Sequence, residues 1–173
     1  MIKSTGAGLD ANIIDVGGGA SSLADTLLLN GYKRITVLDI APSAIEKAKE
    51  RLNDRVSAVK WIEADVTAAT LPEDYDVWHD RAVFHFLTDA GHRKKYIDAV
   101  KKSLKTGGHL IIATFSLAGP PKCSGLDVVR YSPEALADEF GVGFELLDAI
   151  GVEHITPAKV LQKFIFCRFK RVK

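Results

Sequence analysis

In Ile13-Ile14-Asp15-Val16-Gly17-Gly18-Gly19-Ala20-Ser21 a short apolar run carrying one acid leads into three consecutive glycines, and an amphipathic stretch follows. The pattern reads as a first strand, a tight turn and a first helix. Glycine is required where the backbone takes positive φ or passes close to a ligand, and the unpaired N–H groups opening the next helix face whatever sits there. The turn is a ligand cradle by this reading. Nucleotide oxidoreductases, kinases and plain tight turns all use glycine-rich turns, so the neighbouring segments must discriminate.

Outward from this turn the chain alternates. Ser22 is placed to cap a helix whose Leu23, Leu27 and Leu28 form an apolar stripe, and Asn30-Gly31 ends it. Arg34–Asp39 (RITVLD) is a second strand, again closing on an acid. Ser43 with Glu46 reads as a capping box opening a helix through Leu52. Val56–Ile62 is a third strand that ends at Glu63-Ala64-Asp65, Leu71-Pro72-Glu73-Asp74 is a turn, and Tyr75–His79 is a fourth strand running into Asp80-Arg81. Over Asp89–Leu104, Tyr96, Ile97, Val100 and Leu104 share one helical face, with Lys101, Lys102 and Lys105 near its negative end. Thr106-Gly107-Gly108 stops that helix, and Leu110–Phe115 is apolar enough for a central strand covered on both faces. Ser116–Tyr131 is an irregular loop, and Ser132-Pro133-Glu134 opens a last helix. Phe144–Val152 and Lys163–Lys170 are closing strands with no helix between them, and Met1–Ala11 reads as a lead-in rather than an element.

This alternation predicts an α/β protein with a doubly wound parallel sheet whose last two strands run antiparallel. With 173 residues, 47% of them hydrophobic, the chain supports one core, so residues 1–173 read as a single domain. Twenty-three basic against 22 acidic side chains leave a net charge of +1, which supplies no field toward nucleic acid or an anionic membrane. Two cysteines, Cys123 and Cys167, have neither disulfide-framework nor metal-site spacing, and no segment has the length of a membrane span or the pattern of a secretion signal. The expected setting is cytoplasmic, with no resident metal.

In such sheets the ligand lies beyond the carboxyl ends of the strands where their order reverses. Three strands end on or beside carboxylates, Asp15, Asp39 and Asp65. Asp39 follows the glycine turn by about 20 residues, where an acid accepts both hydrogen bonds of a ribose diol. The bland alternative is that each Asp only ends a strand or caps a helix, but three at successive strand ends are harder to dismiss than one.

Asp15-x-Gly17-x-Gly19, the two later acids and Leu104-Lys105-Thr106-Gly107-Gly108 before strand five together resemble the class I S-adenosylmethionine-dependent methyltransferases. The resemblance implies a Rossmann-like seven-stranded sheet in the order 3-2-1-4-5-7-6 with strand 7 antiparallel. It implies S-adenosyl-L-methionine as cofactor, with Asp15, Gly17, Gly18 and Gly19 around its methionine part and Asp39 on its ribose. By the same likeness Ile40 packs on adenine, Asp65 and the Val66 backbone read its edge, and His79 joins the cofactor-side set. Ser21 departs from the pattern, since a third spaced glycine is common there.

Asp80-Arg81 directly after strand four is close to thiopurine methyltransferase-like enzymes, and no Asn-Pro-Pro-Tyr signature of amide and base N-methyltransferases occurs. Arg81 could fix a substrate anion and Asp80 accept a proton, or the two could merely brace the following helix start. His85 is a further candidate base, although a lone histidine among Phe84, Phe86 and Leu87 is more often a core residue. The expected reaction moves the sulfonium methyl to an S, N or O atom of a small-molecule or protein acceptor. A nicotinamide-dependent oxidoreductase and a cofactor-binding regulatory subunit without turnover are the rival readings. Similar enzymes carry a helical cover before strand one, so the short Met1–Ala11 lead-in predicts an open site and a shortened form of weak activity, or else cover from another subunit, such as a second copy of the chain.

Overall fold

The computed structural model describes every residue except Glu73, Pro157 and Ala158. Its elements in chain order are β1 (Asn12–Val16), α1 (Leu23–Leu29), β2 (Arg34–Asp39), α2 (Pro42–Leu52), β3 (Val59–Glu63), β4 (Tyr75–Arg81), α3 (Ala90–Ser103), β5 (Leu104–Phe115), α4 (Pro133–Phe140), β6 (Phe144–Ile155) and β7 (Leu161–Arg171). The seven strands form one sheet in the order β3-β2-β1-β4-β5-β7-β6, as the resemblance implies. Pairing is parallel from β3 through to β5, and β7 runs antiparallel to both β5 and β6.

Because successive strand residues face opposite sides, the sheet carries two cores. Trp78, Phe84, Tyr96, Leu104, Leu110, Ile112, Phe140 and Phe169 pack on the side covered by α3 and α4. Ile13, Leu27, Ile35, Val37, Leu52, Val77 and Ile111 pack on the side of α1 and α2. Full burial of each such side chain contributes about 1.5–3 kcal/mol, so these two layers dominate the stability of the fold.

Several expected boundaries shift for identifiable reasons. Met1–Ala11 is not merely a lead-in: Ile2–Thr5 forms one 3-10 turn, and Met1, Ile2 and Ala7 pack on the α1 side of the sheet. Val56 to Ala58 belong to a 3-10 turn, Asn53–Ala58, whose Val56 carbonyl accepts the Trp61 indole N–H at 3.1 Å, so the third strand starts only at Val59. No crossover helix joins β3 to β4 among the described residues, where Val66 to Ala68 make a turn. The turn read at Leu71–Asp74 includes Glu73 and lies partly outside the described residues. β5 begins at Leu104, directly after α3, with a register shift against β4 where Gly107 takes φ +83°. The loop Ser116–Tyr131 contains a small hairpin of Lys122–Cys123 with Leu126–Asp127.

Helix starts divide in the same way. The Ser132 hydroxyl accepts the Ala135 N–H at 3.2 Å, whereas Ser22 makes no side-chain cap bond and Ser21 Oγ accepts from Leu23 instead. Nor do Ser43 and Glu46 form a capping box; α2 starts at Pro42, and Glu46 pairs with Lys49. We therefore expect Ser132→Ala to cost about 0.5–2 kcal/mol and Ser22→Ala less than about 0.5 kcal/mol. Denaturation midpoints of the two variants, measured side by side, check this; equal losses would contradict the assignment of the caps.

Candidate active site

The glycine turn is shaped by close approach at each of its three positions. Gly17 takes φ +71°, donates its N–H to the Leu38 carbonyl at 2.7 Å, and would drive a Cβ into the Val83 side chain. A Cβ on Gly18 would collide with the Asp15 carboxylate, and one on Gly19 would lie 2.9 Å from Asp39 Oδ2 and 2.8 Å from the Ala44 Cβ. Asp39 is part of the turn's own construction: Oδ2 accepts the Gly19 N–H and Oδ1 the Ala41 N–H, both at 2.9 Å. These bonds leave acceptor capacity on both oxygens, because an ionised carboxylate offers about four lone-pair sites.

Beyond the carboxyl ends of β1, β2, β3 and β4 lies a cleft of about 450 Å³. Val16, Gly17, Leu38, Asp39, Ile40, Ala64, Asp65 and Val66 line one part of it, and Arg81, Ala82, Val83, Phe86 and Leu87 line the other. Ile40 is 68% exposed, a large apolar side chain left in solvent beside the ribose-competent acid. Asp65 uses Oδ1 to accept from the Thr67 N–H and hydroxyl, both at 2.8 Å, which fixes the turn where Val66 enters the cleft wall.

Asp15 and His79 do not border this cleft. They face each other across β1 and β4, with His79 Nδ1 2.7 Å from Asp15 Oδ1, and Asp15 is 2% exposed. Asp15 Oδ2 lies beneath Gly18 with no protein partner among the described residues. His79 lines a separate hollow under α1 together with Leu23, Leu27, Tyr32 and Phe166. Strand alternation puts it on the α1 face, where it contacts the Asp15 carboxylate beneath the glycine turn rather than lining this cleft.

The same alternation separates Asp80 from Arg81. Asp80 is fully buried on the α3 side, accepting from Val83 N (2.8 Å), Phe84 N (3.0 Å) and the Tyr96 hydroxyl (2.5 Å), which in turn accepts from the Trp78 indole. Burial pushes its pKa up to about 6, with these hydrogen bonds pulling the other way. These bonds tie Asp80 to the segment after β4, and no ion pair joins it to Arg81 among the described residues, so the expected buried Asp-Arg pair does not form. Arg81 is exposed at the end of β4, with its guanidinium carbon 5.6 Å from the centre of the Phe164 ring. Ala82 follows at φ +70°, an uncommon conformation for a residue with a side chain, and its N–H is held by the Ala113 carbonyl at 2.9 Å.

His85 is fully buried between the Phe86 and Phe115 rings, and burial lowers its pKa to about 4. This placement favours the core reading of the histidine. Sequence reasoning missed Val83, Phe86 and Leu87 as cleft walls and Phe164 as the platform for Arg81; only the proximity of the first three to Asp80-Arg81 was available as a signal. No group of three or more metal-ligating side chains occurs among the described residues.

The comparisons with known proteins fit this geometry. A family model described as a methyltransferase domain matches residues 14–110, more than half of the chain, and the protein belongs to that family. It is 34% identical over 119 residues to the malonyl-[acyl-carrier protein] O-methyltransferase of Paenibacillus sp. (strain JDR-2), covering 65% of this chain and 42% of that protein. It is 26% identical over 149 residues to human EEF1A lysine methyltransferase 2, covering 82% of this chain and 57% of that one. The crystal structure of N-methyltransferase NodS from Bradyrhizobium japonicum WM9 in complex with S-adenosyl-L-homocysteine superposes with a TM-score of 0.73 at 21% identity, covering 94% of this chain and 79% of that one. The chain thus spans about two fifths of the length of the O-methyltransferase relative.

Asp80→Asn is expected to cost about 1–3 kcal/mol, because any orientation of the amide sets its NH₂ against a backbone N–H. The pH dependence has a definite sign. With the folded pKa near 6 and the ordinary value at 3.8, the folded chain holds an extra proton between these limits, so this group's contribution to stability falls as pH rises from about 4 to 6. Thermal melts across that range should show this slope in the parent and lack it in the variant.

Proposed function

We propose that the protein is an S-adenosyl-L-methionine-dependent methyltransferase that transfers a methyl group to an S, N or O atom of a small molecule or a protein side chain. The observation that carries the reading is the grouping of Asp39, Ile40, Asp65 and Val66 with the glycine turn around one cleft at the strand ends. Family membership and the methyltransferase activities named for its relatives point the same way. The narrower likeness to thiopurine methyltransferase-like enzymes rests on Asp80-Arg81, and of the two only Arg81 lines the cleft.

The residues present fit the cofactor. Asp39 accepts hydrogen bonds from the two ribose hydroxyls, and Ile40 offers adenine an apolar surface that is otherwise left in water. Asp65 and the Val66 N–H read the edge of the base, while Gly17 lets the methionine part approach the backbone. Asp15 and His79 act one layer below, holding the turn. When bound, the cofactor supplies an activated sulfonium methyl, so the protein's task is to position the acceptor in line with it.

A ligand that binds only the native state raises its melting temperature by mass action. S-adenosylmethionine and S-adenosylhomocysteine should therefore each shift the melt while NAD does not; an equal shift with NAD would favour the oxidoreductase reading. Asp39→Ala is expected to weaken S-adenosylhomocysteine binding by about 1.5–3 kcal/mol, the range for hydrogen bonds to a charged group. Calorimetric titration checks it, and unchanged affinity would leave Asp39 with a role in the turn alone.

A further inference from the structure

Arg81 is a cation on the cleft wall without a counter-ion among the described residues. It lines the cleft, and no described carboxylate lies within ion-pair distance of it. Its guanidinium carbon lies over the Phe164 ring, 5.6 Å from the centroid, and that ring is 5% exposed on β7 beside Phe115. A guanidinium carries its N–H groups in the plane of a fork, an arrangement matched to a planar, two-oxygen anion. The backbone after it is held by the Ala82 N–H bond to the Ala113 carbonyl, which fixes where the side chain leaves the strand.

The surroundings of Arg81 narrow the chemistry further. Val83, Phe86 and Leu87 make that part of the cleft apolar. The two groups that could have taken a proton from an acceptor, Asp80 and His85, are both fully buried away from it. Asp39 and Asp65 stand in the other part of the cleft, where the proposed cofactor engages them. An amine acceptor would arrive protonated, would be repelled by Arg81 and would need a base. A carboxylate arrives ionised, is attracted, and needs none.

We infer that the acceptor is an organic acid with an apolar body, whose carboxylate Arg81 holds and which is methylated on a carboxylate oxygen to give an ester. The inference rests on the methyltransferase reading above. A lone pair of the oxygen forms the new O–C bond, the C–S bond breaks with its electron pair left on sulfur, and no proton moves. One anion and one cation become two neutral molecules, a change that apolar walls favour over water.

The test uses the whole chain with methyl-labelled S-adenosylmethionine, offering octanoate and phenylacetate beside their matched amides, amines and thiols. Label should enter the acids alone and be released as methanol by mild alkali. Arg81→Gln should raise KM for the acid by about tenfold or more, the loss of a charged hydrogen-bond pair, with the dissociation constant of S-adenosylhomocysteine changed less than about twofold. Label in an alkali-stable product, no label in either acid, or an unchanged KM in the variant would overturn the acid acceptor while leaving the cofactor reading intact. Failure of S-adenosylhomocysteine to bind the parent chain would instead remove the methyltransferase reading, and the inference with it.

Discussion

The Asp39 carboxylate is the joint on which the site depends. By accepting the N–H of Gly19 with one oxygen and that of Ala41 with the other, it ties the turn after β1 to the start of α2 after β2. Two neighbouring strand ends become one rigid surface. In the proposed function, a ribose would meet an acid already oriented by two backbone donors, so little side-chain entropy would be lost on binding. The close contacts of Gly17 with Val83 and of Gly18 with Asp15 extend that constraint, because a β-carbon at either position would displace part of the site.

A second constraint comes from the two-residue period of β4. His79, Asp80 and Arg81 are consecutive, yet they serve three environments: the α1 face, the α3 core and the cleft. Asp80 completes a chain of buried hydrogen bonds through Tyr96 to Trp78, and that chain holds the segment from which Val83 and Phe86 reach the cleft wall. Packing beneath the strand ends thereby shapes the cleft, whose Val83 and Leu87 belong to the same cluster as Trp78 and Tyr96. The uncommon φ of Ala82 sits at the turn that leads from β4 into that wall.

Much of this was legible in the residues themselves. The apolar runs closing on Asp15 and Asp39, the glycines between strand and helix, and the missing helix before the last strand are local patterns, and each maps onto a local backbone requirement. They yield the strand order once the resemblance is made. The bounds of β2 and the start of α4 at Ser132-Pro133 were equally plain, because β-branched alternation and a cap followed by proline are short-range signals. The early end of the lead-in at Met1 to Ala7 was not, since its turn is stabilised by contact with the α1 face rather than by its own propensity.

From sequence alone, then, came the fold class and the line of acids at the strand ends, since these follow from periodicity and turn chemistry within a few residues, while the sheet order came from the family resemblance. Only the tertiary structure decided where each candidate sits. It placed His79 on the α1 face, enclosed Asp80 and His85 in the core and set Arg81 over Phe164, on a strand near the far end of the chain. Side-chain direction depends on which face each strand residue presents and on which distant element covers that face. Neither is written in the neighbours of a residue along the chain.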